Sequence, residues 1–126
     1  MKHLLLTTIA AVLLVGCGKP SLDIWQDSSS GYLESVRLNL TLGTDINARD
    51  SNQMTPLFHA VENEKIAVTE FLIKEGAEIN TYDSKWKTPL DYAIELKYAE
   101  LTNLLRKHGA KTSEEMNAER KEKGII

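Results

Sequence analysis

The sequence is poor in the residues that carry most metal, redox and nucleic-acid chemistry. One cysteine in 126 residues excludes an intramolecular disulfide and a cysteine-rich zinc site. Lysine and arginine number 15 against 18 acidic residues, a formal charge of −3, so the basic excess that binds nucleic-acid phosphates is missing. The longest apolar run covers residues 4–15, shorter than the ~20 residues that a membrane-spanning helix needs. The length and an apolar content of 42% suit one globular domain.

The apolar run has the form of an export signal. Lys2 and His3 precede LLLTTIAAVLLV, and small residues follow it. A basic start, a short apolar stretch and small residues before a cut are typical of a signal peptide. The stretch Leu14-Val15-Gly16-Cys17 resembles a bacterial lipobox, which implies that residues 1–16 are cleaved off and that Cys17 is lipidated. The alternative is an ordinary signal peptide that happens to end near a cysteine.

Lipidation of Cys17 would make residues 17–21 a short lipidated tether. Removal of residues 1–16 also removes Lys2, so the formal charge of the mature chain becomes −4. Several acyl chains anchor a protein stably where one chain does not. Residue 18 is Gly rather than Asp, and by resemblance to enterobacterial sorting signals this favours the periplasmic face of the outer membrane over the inner membrane. The expected location is therefore the bacterial cell envelope.

The rest of the chain repeats itself every 33 residues. TPLFHA at 55–60 returns as TPLDYA at 88–93. Glycines, asparagines and leucines recur at the same interval, as Gly43, Gly76 and Gly109, as Asn47 and Asn80, and as Leu72 and Leu105. A fixed period of this size is the signature of a stacked array of structural units.

Each unit contains signals for two helices and a loop. Thr55 and Thr88 are good N-caps, and the prolines that follow them suit the first helical position, which predicts helices over about 56–63 and 89–96. Apolar residues at helical spacing predict second helices over 32–43, 66–76 and 99–109, each stopped by a glycine. The polar, turn-rich segments at 44–54 and 77–87 read as projecting, hairpin-like loops.

This pattern resembles the ankyrin repeat. The family's T-P-L-H-x-A phrase corresponds to residues 55–60 and 88–93, and its G-A-D-V-N-A phrase to residues 43–48 and 76–81. The resemblance implies an all-α fold, an α-solenoid of about three repeats over residues 22–112, divided at about 22–54, 55–87 and 88–112. It also implies that Asn47 and Asn80 brace the loops through hydrogen bonds to the backbone.

The departures from the family's pattern predict local differences. Phe58 and Asp91 stand where the family has histidine, so its usual hydrogen bond to threonine is absent. Non-glycine residues replace the glycine of the loop tip and the glycine between paired helices, which strains the turn between the helices: Gln53 and Trp86 at the tips, Glu64 and Lys97 between helices.

Both ends of the array read as caps. The first repeat is degenerate, because Asp27 stands where later copies have alanine and a serine run follows. We expect a cap that is polar on its open side, with Trp25 covering the end of the core. Residues 113–126 form a charged tail with a capping box from Thr112 to Glu115, and its helix is either a cap or loosely held.

No arrangement in the sequence suggests catalysis, a metal or a cofactor. The histidines at 3, 59 and 108 occupy non-corresponding places without a second ligand at metal spacing. Ser28-Ser29-Ser30 lacks the context of an activated nucleophile. We therefore expect a monomeric, non-enzymatic protein without cofactor, which does not bind nucleic acid.

By resemblance, such a domain binds proteins on its concave face, through loop tips and first helices. The positions of this sequence that correspond to the family's binding positions are Arg49, Ser51, Asn52, Met54, Glu62, Asn63, Tyr82, Ser84, Lys85, Lys87, Glu95 and Leu96. Trp86 is added because aromatic residues dominate binding hot spots, although it could instead fold back onto the neighbouring loop and pack there.

The sequence is compatible with three functions. The first is a lipid-anchored module that binds another envelope protein. The second is a periplasmic inhibitor or immunity protein, whose negative charge would suit a basic toxin or enzyme. The third is a structural role in maintaining the envelope.

Overall fold

The computed structural model of the chain describes residues 22–125 and contains seven helices and no strand within that range. The helices are α1 (Ile24–Ser30), α2 (Leu33–Thr41), α3 (Pro56–Glu62), α4 (Ile66–Lys74), α5 (Pro89–Glu95), α6 (Ala99–Lys107) and α7 (Ser113–Glu122). The predicted all-α solenoid is confirmed. The predicted signal peptide, Cys17 and the tether lie outside the described residues.

The first six helices form three pairs stacked in two layers. α1, α3 and α5 lie side by side in one layer, and α2, α4 and α6 form the second. Each helix of the first layer also packs against the second helix of its own pair. A polar loop precedes α3 and another precedes α5, so the loops project from the same edge of the stack.

The core consists of apolar side chains that recur at the 33-residue interval. Leu57 and Leu90 of the first layer, and Leu72 and Leu105 of the second, are fully buried. The rings of Phe58 and Tyr92 meet edge to face, with centroids 6.0 Å apart, and join α3 to α5. Because each repeat buries its apolar face only against its neighbours, the stability of the fold depends on every interface of the stack.

The two threonines before proline do not act alike at the helix starts. Thr88 and Asp91 form a capping box, and the Thr88 hydroxyl also donates to the Lys111 carbonyl oxygen at 2.8 Å. Thr55 makes no capping hydrogen bond, and its hydroxyl is buried without a partner among residues 22–125. The prediction that the Thr55 side chain caps α3 is therefore corrected. Phe58, which stands where the third repeat has Asp91, also has no side-chain acceptor for the reciprocal bond of a capping box.

The turns that lack glycine adopt the left-handed backbone conformation. Glu64 and Lys97, between paired helices, have φ angles of 55° and 60°. Gln53 and Trp86, at the loop tips, have φ angles of 60° and 59°. This region is unfavourable for residues with a Cβ, by roughly 1–2 kcal/mol each. The strain predicted for the turns between the helices is thus present, and the loop tips share it.

Replacing Glu64 by glycine is expected to stabilise the fold by about 1 kcal/mol, because glycine adopts this conformation without the Cβ penalty. Thermal melting followed by circular dichroism measures the change, which should be a rise of roughly 4–8 °C. Glu70→Gly is the matched control: Glu70 is exposed inside α4, where glycine costs about 1 kcal/mol. A fall in melting temperature in both variants would contradict the strain at Glu64.

The first repeat closes the N-terminal end of the stack with a buried polar pair. Asp27 is buried and accepts a hydrogen bond from the Asn39 side-chain nitrogen at 2.9 Å. The expectation that this cap is polar on its open side is corrected for Asp27, whose carboxylate faces α2 rather than solvent. Trp25 lies against the core as expected, and its indole N–H donates to the Ala48 carbonyl oxygen at 2.8 Å.

At the other end, two ion pairs join α7 to the preceding residues of the third repeat. Glu115 pairs with Arg106 at 2.8 Å, and Glu119 pairs with Lys111 at 2.6 Å. The hydrogen bond from Arg106 lowers the pKa of Glu115 below its usual value. Thr112 caps the helix, as predicted, by accepting from the Glu115 N–H. Because α7 buries no residue, it is a polar cap on the third repeat.

Candidate protein-binding surface

Each projecting loop is built around one aspartate. A carboxylate oxygen of Asp50 accepts from the N–H groups of Asn52 and Met54, at 2.9 and 3.0 Å. Asp83, 33 residues later, accepts in the same way from Lys85 and Lys87, at 2.9 and 3.0 Å. The short polar side chain thus replaces backbone partners that a tight loop cannot supply.

The second oxygen of each aspartate ties the loop to the first helix of the repeat. His59 Nε2 lies 2.7 Å from Asp50 Oδ2, and the Tyr92 hydroxyl donates to Asp83 Oδ2. Sequence reasoning treated His59 as an ordinary helix histidine and missed this contact. The signal that reveals it is the register, because Asp50 and Asp83 are one period apart, as are His59 and Tyr92.

These contacts change the acidity of the groups involved. Burial raises the pKa of Asp50, but hydrogen bonds from Met54 N–H, His59 and Asn52 N–H outweigh it, so the pKa lies below its usual 3.8. Burial raises the pKa of the Tyr92 hydroxyl, and the bond to Asp83 raises it further. Asp50 therefore stays ionised and Tyr92 stays protonated at neutral pH, as the hydrogen bonds require.

Replacing Asp50 by asparagine is expected to lower the melting temperature at pH 7 by several degrees, because the carboxylate organises its loop. Since the folded chain depresses the pKa of Asp50, this stabilisation is present above pH 3.8 and is lost as the pH falls through the folded-state pKa. Melting temperatures measured from pH 7 towards ~3 should therefore converge for wild type and Asp50→Asn. Glu70→Gln, on the exposed face of α4, is the control. A difference that stays constant over this range would contradict the role of the Asp50 charge.

Side chains also tie each loop to the next repeat. Asn47 Oδ1 accepts from the Glu78 N–H at 2.9 Å, and Asn80 Oδ1 accepts from the Lys111 N–H at 2.8 Å. The predicted bracing by these asparagines is therefore present. Arg49 crosses between the two loops, where its guanidinium donates to the carbonyl oxygens of Gln53 and Tyr82 at 2.9 and 2.8 Å. The loops are thus fixed relative to each other.

The structure leaves most of the predicted binding residues at the surface, with one correction. Met54 is only 7% exposed and belongs to the core, so its side chain is not available to a partner. Its place at the foot of the loop, next to Thr55, explains the burial. The guanidinium of Arg49 is occupied by the loop contacts. Tyr82 and Lys87 are half-buried. The remaining loop and helix positions are exposed, namely Ser51, Asn52, Glu62, Asn63, Ser84, Lys85, Trp86, Glu95 and Leu96.

Two residues on the predicted list contact each other across the third repeat. Lys87 Nζ lies 2.7 Å from a Glu95 carboxylate oxygen and 5.4 Å from the centre of the Tyr92 ring. Leu96, at the end of α5, is 44% exposed, and Ile94 beside it is 43% exposed. Val61, one period before Ile94, is fully buried because α5 packs over it. The apolar end of α5 is therefore the part of the first layer that lacks a following helix among the described residues.

Trp86 is the most conspicuous residue of the surface. Its side chain is 72% exposed at the tip of the second loop. One edge contacts Tyr82, with ring centroids 5.7 Å apart at 62°. Tyr82 belongs to the same loop as Trp86, so the only ring contact of the indole among residues 22–125 lies within its own loop rather than on the neighbouring one. Most of the indole remains open to solvent.

The described residues show no feature of a metal site or a membrane span. Residues 22–125 contain no group of three or more His, Cys, Asp or Glu side chains placed to hold a metal ion. No helix in this range combines the length and the apolar character needed to cross a bilayer.

The described residues match a known family of proteins. A protein-family model described as Ankyrin repeats (3 copies) matches residues 24–116, well over half of the chain. A search of curated proteins finds no match. The family match covers all six helices of the stack and both projecting loops.

Proposed function

Since this chain belongs to the ankyrin repeat family, whose repeats generally mediate binding between proteins and are typically non-catalytic, we propose that it is a lipid-anchored binding module of the bacterial cell envelope. It binds another envelope protein through its loop tips and first helices and has no catalytic activity of its own. The observation that carries this proposal is the exposed indole of Trp86 on a loop fixed by hydrogen bonds.

Preorganisation supports binding by the two loops. A loop that is already ordered loses little conformational entropy when a partner binds, so more of the contact energy appears as affinity. Asp50 and Asp83 order the loops internally, and Arg49 joins one to the other. The exposed side chains of Asn52 and Ser84 therefore stand at defined positions on a rigid edge.

Photocrosslinking in the native cell tests this function. A photoreactive amino acid is placed at position 52 or 84, on the loops, and at position 70, on the opposite layer, as the control. Asn52, Ser84 and Glu70 are all exposed, so accessibility is matched. A discrete protein adduct from 52 and 84, and none from 70, is the expected result. If neither loop position gives an adduct, or if all three positions give adducts in equal yield, binding by the loops is contradicted.

The lipid anchor is a separate part of the proposal and rests on the residues that precede the domain. Leu14-Val15-Gly16-Cys17 follows a basic start and an apolar run. Acylation of Cys17 would attach the domain to the bilayer through the short segment 17–21, so that its partner lies close to the same membrane. Gly18 favours the periplasmic face of the outer membrane.

Replacing Cys17 by serine is expected to abolish incorporation of an alkyne-labelled fatty acid and to release the protein from the membrane fraction, because the acylated thiol is gone. Gly18→Asp is the matched control, since it keeps the thiol and the label. We expect it to move the protein from the outer-membrane to the inner-membrane fraction. Labelling of Cys17→Ser at the wild-type level would disprove the anchor.

A further inference from the structure

Trp86 is part of a larger patch that joins the second loop to α7. The guanidinium of Arg120 lies 5.7 Å from the centre of the Tyr82 ring, on which Trp86 also packs. The Tyr82 hydroxyl donates to the Asn117 side-chain oxygen at 3.3 Å. The loop and the helix therefore present one continuous surface, with the exposed Trp86 indole and the Arg120 guanidinium both against the ring of Tyr82.

The cations of this surface are not neutralised within the protein. Lys85, Arg120 and Lys123 make no ion pair with any of residues 22–125. Lys123 lines the same cleft as Arg120. We use the term aromatic–cation patch for Tyr82, Lys85, Trp86, Arg120 and Lys123.

The acidic residues of the same segments do not supply the missing countercharge. Three glutamates are paired elsewhere: Glu95 with Lys87, Glu115 with Arg106 and Glu119 with Lys111. Glu78 lies at the start of the loop, seven residues before Lys85. The Asp83 carboxylate accepts from two backbone N–H groups and from the Tyr92 hydroxyl. Glu114 and Glu122 lie six residues before and two residues after Arg120, which places them on other faces of α7. A chain with a formal charge of −3 thus carries a local excess of positive charge around its most exposed aromatic ring.

From this arrangement we infer that the aromatic–cation patch binds an acidic segment of the partner protein, with carboxylates against Lys85 and Arg120 and an apolar or aromatic side chain on the Trp86 indole. This inference rests on the proposed function and adds the chemistry of the partner to it. Carboxylates bind ammonium and guanidinium groups that have no ion-pair partner, and arginine offers a carboxylate two parallel donors. The overall negative charge would suit a basic target, but this patch selects for an acidic one.

A bilayer of anionic lipid is the competing source of negative charge, and the position of the patch argues against it. The described chain begins at α1, at one end of the stack, whereas the patch is formed by the loop before α5 and by α7 at the other end. Neighbouring helices lie about 10 Å apart, so the patch is about 20 Å from α1 along the stack. A short tether at the first repeat would keep that end, rather than the patch, nearest the membrane.

Charge reversal tests the inference in the full-length lipidated protein. The photoreactive amino acid at position 84 reports on the partner, because Ser84 is exposed on the same loop and Trp86 stays intact. The test variant is Lys85→Glu with Arg120→Glu. The control is Lys74→Glu with Lys107→Glu, which changes the total charge equally: Lys74 is exposed on α4 and Lys107 on α6, both in the second layer rather than on the loop or α7. Melting curves check that both variants fold.

The adduct from position 84 should fall about tenfold in the test variant and stay within about twofold of wild type in the control. Mass spectrometry of the adduct should place the crosslinked site within a few residues of two or more Asp or Glu residues. Equal loss in both variants, no loss in either, a site without nearby carboxylates, or a phospholipid adduct would each overturn the inference. Lys85→Ala, which leaves α7 untouched, should give a smaller loss, and no loss at all would also count against it.

Failure here can be distinguished from failure of the proposed function. If the adduct from position 52 persists while the yield of the adduct from position 84 is unchanged by charge reversal, only the acidic nature of the bound segment is contradicted. The absence of any protein adduct from both positions 52 and 84 would contradict the binding function itself.

Discussion

Leu72→Ala is expected to lower the free energy of unfolding by about 2–5 kcal/mol and to leave no cooperative thermal transition near ~37 °C. Leu72 is fully buried in α4, the middle helix of the second layer. Truncation there opens a cavity in the middle repeat, whose helix α4 packs against both α2 and α6. A stack of three repeats has little stability to spare, because small domains are stable by only ~5–15 kcal/mol and each repeat depends on its neighbours.

Leu42→Ala is the matched control, since the same side chain is 62% exposed after α2. This variant should melt within a degree or two of wild type, because surface substitutions change stability by at most about 0.5 kcal/mol. Circular dichroism at 222 nm and urea titration measure both variants. A sharp transition retained by Leu72→Ala at a temperature well above ~37 °C would contradict the dependence of the stack on its middle repeat.

Trp86→Gly is expected to separate binding from stability. Removal of an exposed indole at the centre of a contact costs about 2 kcal/mol or more, which weakens affinity roughly 30-fold. The same change should leave the melting temperature unchanged or raise it. The backbone of Trp86 has a φ of 59°, which glycine adopts without the Cβ penalty, and the 72% exposed side chain buries little apolar area.

Gln53→Gly is the control for this experiment. Gln53 stands one period before Trp86, at the first loop tip, with a φ of 60°. Glycine there relieves the same strain without removing an aromatic ring, so affinity should stay near the wild-type value. Affinity is measured by titration calorimetry with the partner identified by crosslinking. Unchanged affinity in Trp86→Gly would show that the indole only packs on Tyr82.

The sequence predicts the helices well because their signals are local and repeated. Pro56 and Pro89 mark the starts of α3 and α5, and the observed helix ends lie within two residues of those expected. The 33-residue interval predicts which apolar side chains meet in the core, and Leu72 and Leu105 are buried as their shared register requires. Each helix start and helix end recurs in several repeats. A helix that is weakly marked in one repeat can therefore be located from the equivalent position in another.

The contacts at the surface are predicted less well, because they form between residues that are distant in sequence and do not belong to a common motif. Met54 lies in a polar loop, yet its side chain is buried in the hydrophobic core, which the polarity of the segment does not predict. The Asp27–Asn39 pair depends on the crossing of α1 and α2, and neither residue signals the other in sequence. The approach of Arg120 to Tyr82 depends on how α7 lies against the third repeat, which the charged pattern of that helix does not specify.

The hydrogen bonds that the asparagines make between repeats allow the array to change length only by whole repeats. Asn47 and Asn80 each bond a backbone N–H that lies 31 residues further along the chain. Excision of residues 78–110 would bring the Lys111 N–H to the place of the Glu78 N–H, and Asn47 would find an equivalent donor. Duplication of one period would likewise supply both the new asparagine and its partner. The chain can thus gain or lose units of 33 residues without breaking its pattern of bonds, so gene duplication can extend its binding edge in whole steps.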